Sequence, residues 1–263
     1  MHFLDSAILG VVEGATEFLP ISSTAHLILA GKLLGLADSA AAPFEIAMQS
    51  GAILAVIFFE WRLILSFLRR DTFFKILVNL IVAFIPAAVV GLILHKFITQ
   101  HLFSLPVIAA TLLIGGIFML LAEHFFGKKK SVQQADDIRK MRWQQAFAIG
   151  CAQVISIIPG TSRALTTIYG GIFAGLSRKT ATEFSFLLAI PVLGAATFYE
   201  VVLNKESQLS VDANFWIAFG VSFAVALLAL QLFFAFVKKH DFRWFAWYRI
   251  ALGLAIIAFL YLG

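Results

Sequence analysis

Charged side chains are what this chain has least of: Asp, Glu, Lys and Arg make up 13% of its 263 residues, where a soluble domain carries about 25%. Cysteine is nearly missing too. Cys151 stands alone, which excludes an internal disulfide, and it is expected to be a small buried apolar side chain rather than a reactive thiol. The opening MHFLDS has no basic stretch and no cleavage site after it, so no removable signal peptide is expected. No GxxxxGK[ST] stretch occurs, which excludes nucleotide hydrolysis through that loop. The net charge of +5 would suit nucleic acid, but the basic residues fall in short clusters between apolar runs. That is the pattern of cytoplasmic loops in a membrane protein, and no nucleic-acid partner is expected.

What is present is apolar. Hydrophobic residues make up 61% of the chain, more than a soluble core uses, and are expected to meet a lipid bilayer. Crossing takes about 20 apolar residues. Six runs are long enough: 44–67, 74–96, 104–126, 181–203, 214–237 and 244–262. Two further apolar regions, 3–36 and 144–176, are split by Pro20 and by Pro159-Gly160 into arms of about 15 residues, too short to cross. Both are expected to be re-entrant helix–loop–helix hairpins, whose non-helical backbone needs protein or a wet cavity around it. The 28 phenylalanines and five tryptophans are expected to face lipid or pack the spans, with Trp143, Trp244 and Trp247 as interface anchors.

The two broken regions resemble each other at an offset of 140: Gly10 pairs with Gly150, Glu13 with Gln153, Ser22 with Ser162, Gly31 with Gly171, and Gly35-Leu36 with Gly175-Leu176. Glu60 pairs with Glu200 at the same offset, and Val82-Ala83-Phe84 echoes Ile217-Ala218-Phe219 at a slightly smaller one. The expected fold is therefore an all-α integral membrane protein with an inverted-topology repeat. Each half is one re-entrant hairpin plus three transmembrane helices, over 1–127 and 144–263, joined by a cytoplasmic loop 128–143. The three spans of the first half, being odd in number, invert the second. Positive charge marks the cytoplasmic side at Arg69-Arg70, Lys128-Lys129-Lys130 with Arg139, Lys140 and Arg142, Arg178-Lys179, and Lys238-Lys239 with Arg243. The loops 37–43, 97–103 and 204–213 are poor in it. All clusters share one side if hairpin 3–36 enters from outside and hairpin 144–176 from the cytoplasm, with both termini outside. Hairpin tips meeting near the midplane are an arrangement otherwise found in transporters.

Chemistry concentrates at the two tips. In GVVEGATEFLPISSTAHL, Glu13 and Glu17 are four apart and share one helix face. Pro20 stops that arm, Ser22, Ser23 or Thr24 can cap the next, and His26 lies one turn beyond Ser23 on the same side. Two acids, three hydroxyls and a histidine at membrane depth are costly and point to function; a structural alternative has them pairing with one another to hold the tip. In IIPGTSRALTTIYGG, Arg163 offers a planar fork for phosphate oxygens, surrounded by Ser162, Thr166 and Thr167. Gly160 lets backbone approach a ligand, and a helix starting near Thr161 would favour an anion. Arg163 can instead neutralise Glu13 or Glu17. Together the tips offer a carboxylate pair for a divalent cation, an arginine for phosphate and a serine–histidine couple, the equipment of metal-assisted phosphoryl transfer with Ser23 or water attacking. His26 can activate the nucleophile or protonate the leaving phosphate. Glu45, Gln49 and Glu183 are expected to support the site or pair at helix ends, and Asp136-Asp137 to lie in the solvated loop.

These residues carry a resemblance as well. EGATEFLPISSTAH is similar to the first signature of the bacterial undecaprenyl-diphosphatases, the bacitracin-resistance phosphatase family, and PGTSR resembles the second. FEIAMQSGAILAV and ATEFSFLLAIP resemble its flanking segments, so the likeness spans essentially the whole chain. It implies removal of the terminal phosphate of undecaprenyl diphosphate, recycling the carrier lipid of peptidoglycan synthesis and conferring bacitracin resistance. It also implies work at the outer leaflet of the bacterial inner membrane, Mg2+ or Ca2+ as cofactor, and homodimers. Residue by residue, it places Glu13 and Glu17 on metal and diphosphate, Ser23 and His26 at the reacting phosphorus, and Arg163 on its oxygens, without deciding between serine, histidine and water as nucleophile. One departure stands out: the usual Ser-Gly after the arginine is Ala164-Leu165 here. The rival reading is a transporter or flippase of a prenyl-phosphate lipid. The other membrane phosphatases, built on Lys-x6-Arg-Pro, are set aside because no Arg-Pro dipeptide occurs.

Overall fold

The computed structural model describes residues 3–36, 42–67, 70–125, 137–203 and 211–262, and among these every regular element is helical. The first broken region is α1 (Phe3–Thr16) and α2 (Ser23–Leu33). The second is α7 (Trp143–Gln153), a 3-10 turn Val154–Ile157, and α8 (Arg163–Phe173). Between and after them come α3 (Ala42–Phe59), α4 (Trp61–Ser66), α5 (Arg70–His101), α6 (Leu105–Phe125), α9 (Arg178–Phe198), α10 (Ala213–Val237) and α11 (Arg243–Leu262). Among the described residues, five helices are long and apolar enough to cross a membrane, as a multi-pass membrane protein requires: those built on α5, α6, α9, α10 and α11. Their outer faces carry large apolar side chains such as Ile93, Ile114, Leu232 and Phe259, all exposed.

Two expectations need correction. The run 44–67 is not one continuous helix: it breaks at Glu60, whose φ of −91° and ψ of 8° separate α3 from α4. The side chain responsible is an acid, buried in the middle of an apolar run. Cys151 is exposed, not buried. Phe147, one turn before it on the same face of the helix, is exposed as well, so the thiol belongs to an outward apolar surface. Lys128-Lys129-Lys130, Asp136, Arg69 and most of the loops 37–43 and 204–213 lie outside the described residues, as does the side chain of Glu45.

The chain divides into two compact units. One comprises Met1–Leu19, Ser23–Phe73 and Phe186–Phe233. In it α1 presents Gly10 and Gly14 to α10: a methyl group on Gly10 would come 2.9 Å from the Ala218 carbonyl oxygen, and one on Gly14 would come 2.8 Å from the Ala226 nitrogen. Ser222 of α10 donates to the Met48 carbonyl of α3 at 2.8 Å. Apolar burial cannot drive helices together in lipid, so small residues that let backbones touch are the expected adhesive.

The other unit comprises Pro20–Ser22, Phe74–Ser185 and Phe234–Gly263. Gly116 and Gly253 bring α6 and α11 together, with built methyl groups 2.8 Å from the Ala246 oxygen and 3.1 Å from the Ala109 oxygen. Gly170 faces Ala152 across the α7–α8 hairpin, and Gly150 packs on Ala83 of α5, where a methyl group would meet the carbonyl oxygen at 2.6 Å. One charged knot ties this unit together. Glu123 of α6, buried, accepts from Arg178 Nη2 at 2.6 Å, from the Tyr169 hydroxyl at 3.1 Å and from the Phe242 N–H at 3.4 Å. Arg178 thus leaves its neighbour Glu183 to Lys179, 3.7 Å away on α9, which is the helix-end pairing expected of Glu183.

Candidate functional site

Both polar tips are helix–turn–helix junctions, and both turn in the same way. Among the described residues, only Ser22 (φ 72°) and Ser162 (φ 78°) are non-glycine residues in the left-handed region. Holding a residue with a Cβ there costs roughly 1 kcal/mol. Each serine stands immediately before the first residue of the returning helix, Ser23 of α2 and Arg163 of α8. The second helix therefore starts at Arg163, two residues later than expected, and Ser162 caps it by accepting from the Leu165 N–H at 3.3 Å.

At the first tip α1 ends at Thr16, and the Glu17 N–H still bonds the Glu13 carbonyl at 2.9 Å. One helical turn therefore separates the two carboxylates, as their spacing required, and both are buried. The turn brings Ser23 back onto Glu17: the serine hydroxyl donates to Glu17 Oε2 at 2.5 Å. A distance that short marks a charge-assisted hydrogen bond. His26 and Thr24 follow on α2, both partly exposed, whereas Ser22 is buried in the turn.

At the second tip Arg163 is partly exposed and its guanidinium is steered by α9, with Nη1 donating to the Ser185 carbonyl at 3.0 Å. A cation at the first position of a helix sits at the positive end of the dipole, which is unfavourable unless an anion is close. An anion there would answer both the guanidinium and the positive end of the helix. The neighbouring threonines point inward. Thr166 donates to the Arg163 carbonyl at 3.0 Å, and Thr167, fully buried, bonds that carbonyl at 2.8 Å and Ser185 Oγ at 2.6 Å. Their hydroxyls hold the arginine's turn and tie it to α9. Gly160 (φ 87°) makes room for protein: a methyl group on it would come 3.1 Å from the Ile108 Cα of α6.

Sequence reasoning gave Ser185 no role, and it missed Arg249 altogether. Arg249 of α11 is fully buried. Its Nη1 donates to the Pro20 carbonyl at 3.2 Å, and its Nη2 to the Gly160 carbonyl at 3.0 Å and the Thr111 carbonyl at 3.1 Å. Thr111 in turn donates its hydroxyl to the Pro159 carbonyl at 2.8 Å. The backbones of both turns thus meet on one guanidinium. The available signal was an arginine inside the apolar run 244–262, costly in lipid unless it faces protein.

No group of three or more His, Cys, Asp or Glu side chains placed to hold a metal ion occurs among the described residues. The Glu13–Glu17 pair fits a smaller demand. Mg2+ is typically held by one or two carboxylates together with substrate phosphates and water, and this pair supplies two carboxylates one turn apart.

Compared with known proteins, residues 6–255 match the family model described as bacitracin resistance protein BacA. The chain is 47% identical over 261 residues to an undecaprenyl-diphosphatase of Methylobacillus flagellatus, covering 97% of each protein. An undecaprenyl-diphosphatase of Nitrosospira multiformis is 46% identical over 99% of this chain and 96% of its own length. One of Persephonella marina is 45% identical over 99% of this chain and 100% of its own length.

Proposed function

The chain belongs to the bacitracin resistance protein BacA family, and from that premise we propose that it hydrolyses undecaprenyl diphosphate to undecaprenyl phosphate and phosphate, recycling the carrier lipid of peptidoglycan synthesis and so conferring bacitracin resistance. The observation that carries the reading is the 2.5 Å hydrogen bond from Ser23 to Glu17. A hydroxyl held by a carboxylate is a nucleophile beside its base.

In the reaction we propose, Ser23 Oγ attacks the terminal phosphorus while its proton passes to Glu17. The Oγ–P bond forms and the bridging P–O bond breaks, with His26, one turn along α2, protonating the departing oxygen of undecaprenyl phosphate. Water then attacks the phosphoserine, giving its proton to His26, and Glu17 returns its proton to Ser23 as phosphate leaves. Arg163, with the N–H groups at the start of α8, holds the phosphate oxygens as charge builds on them. Ser22, Thr24, Gly160 and Ser162 shape the turns that bind the diphosphate. Thr166 and Thr167 serve by fixing the arginine's turn. Glu13 and Glu17 would hold Mg2+ or Ca2+. When bound, such an ion neutralises diphosphate charge and polarises the P–O bond.

The same reading includes an inverted repeat, with the tips as re-entrant hairpins open to the outer face of the inner membrane. Several backbone details support the repeat at the offset of 140. Ser22 and Ser162 share the left-handed conformation, and so do Gly35 and Gly175. Gly10 packs on Ala218, and Gly150, its counterpart, packs on Ala83. Glu60 breaks a helix, while Glu200 falls in a π-helical turn, Tyr199–Leu203.

The test is phosphate release from undecaprenyl diphosphate by the purified protein, with and without a chelator. No release, or undiminished release by Glu17→Ala and Arg163→Ala variants, would overturn the proposal. The repeat also suits a lipid carrier; such a protein would move prenyl phosphate across liposomes without releasing phosphate.

A further inference from the structure

Arg249 has no place in the reaction as the family resemblance describes it, and its surroundings are unusual for a buried cation. It is fully buried, and all the bonds of its guanidinium are to main-chain carbonyls: Pro20, Gly160 and Thr111. Among the described residues no carboxylate pairs with it. A buried charge without a counter-ion is expensive, and a neutral donor would satisfy a carbonyl more cheaply. Two features say that the position is built for this side chain. Gly115 leaves it space, since a methyl group there would come 2.9 Å from the Arg249 Cζ. The three acceptors come from three separate stretches of chain, and only a rigid planar fork presents donors in several fixed directions at once.

The Pro20 carbonyl lies two residues before the strained Ser22 and three before Ser23. The Gly160 carbonyl lies two residues before the strained Ser162 and three before Arg163. The guanidinium therefore grips the two turns at matching points, each just upstream of a helix start that carries chemistry. We propose that Arg249 is a positioning residue that splints the Pro20–Ser22 turn to the turn before Arg163, fixing the start of the helix whose arginine holds phosphate. This role rests on the phosphatase reading above, but the splint itself is testable without it.

The experiment uses the full chain in detergent, as wild type, Arg249→Gln, Arg249→Lys and Gly115→Ala, the last crowding the guanidinium out of place. Hydrogen–deuterium exchange is followed in peptides covering residues 17–24 and 158–164, alongside steady-state phosphate release. In Arg249→Gln, exchange should rise at least tenfold in both turns together. Its kcat should fall about 100-fold or more with KM changed less than threefold, the mark of lost alignment rather than lost binding. Arg249→Lys should recover part of the kcat, and Gly115→Ala should show the same paired loosening in milder form. Exchange that rises in one turn only, or in neither, overturns the splint, as does a kcat within threefold of wild type. Should Arg249→Gln fail to fold, Gly115→Ala decides by the same two readouts. If wild type releases no phosphate, the functional reading fails while the paired exchange still judges the splint.

Discussion

Replacing Ser23 by alanine separates attack from support, because the structure sets what each role is worth. The hydroxyl makes a 2.5 Å hydrogen bond to a buried carboxylate. Bonds to charged groups contribute about 1.5–3 kcal/mol. If Ser23 only steadied Glu17, losing the bond would slow the reaction by about 10- to 150-fold, since roughly 1.4 kcal/mol is a factor of ten. Losing a nucleophile costs far more: removal of the catalytic serine in a well-studied protease costs about a millionfold. The expected result for Ser23→Ala is thus a fall in kcat of at least about 1,000-fold, with a fall in melting temperature in detergent no larger than the loss of one such bond explains. The assay is phosphate release from undecaprenyl diphosphate labelled in its terminal phosphate. An acid quench during turnover should also trap label on wild-type protein as acid-stable phosphoserine, and none on the variant. A loss of only tens of fold, with no trapped label, would refute attack by Ser23 and leave it as the support of Glu17, with His26 or water as the attacking group.

Other expectations follow from the same structure. Arg163→Lys keeps the charge but loses the fork that bonds Ser185, so phosphate release should drop by about 10- to 1,000-fold with stability little changed. Glu123→Ala empties the acceptor of Arg178, Tyr169 and the Phe242 N–H; with Arg178 still partly exposed, about 2–4 kcal/mol of stability should go, read as a clear fall in melting temperature. Gly116→Ala drives a methyl group to 2.8 Å from the Ala246 oxygen and should cost about 1–3 kcal/mol. A chelator should abolish phosphate release, and added Mg2+ or Ca2+ should restore it; release that survives prolonged chelation would remove Glu13 and Glu17 from a metal-binding role.

Much of this architecture was legible because hydrophobic length and proline placement are local signals. The helices α5, α6, α9, α10 and α11 fall where the apolar runs put them, and Pro20 and Pro159 mark two real turns. The contact between Ser23 and Glu17 was also within reach, because it closes over six residues. What escaped depends on partners far away in sequence. Nothing near Thr167 reveals that its hydroxyl faces Ser185, and nothing near Arg249 names carbonyls 89 and 229 positions distant. The break at Glu60 was hidden for another reason. Hydropathy averaged over a window reads one acid among apolar neighbours as tolerated, whereas the backbone responds to that residue alone.

The glycine contacts of α1 have a consequence for how the protein is made. Gly10 and Gly14, near the start of the chain, rest against Ala218, Ser222 and Ala226, more than two hundred residues later. A ribosome delivers the first hairpin long before it delivers α10. Through most of synthesis the hairpin that carries Glu13, Glu17 and Ser23 must wait in the membrane without the helix that completes its packing. Gly150 has no such delay, because Ala83 has already emerged when α7 arrives. The packing of α7 on α5 can therefore form as α7 is made, although the turn after it still waits for Arg249 of α11, whereas α1 must wait for α10. Truncations after α9 should accordingly leave α1 open to proteases while α7 is already protected.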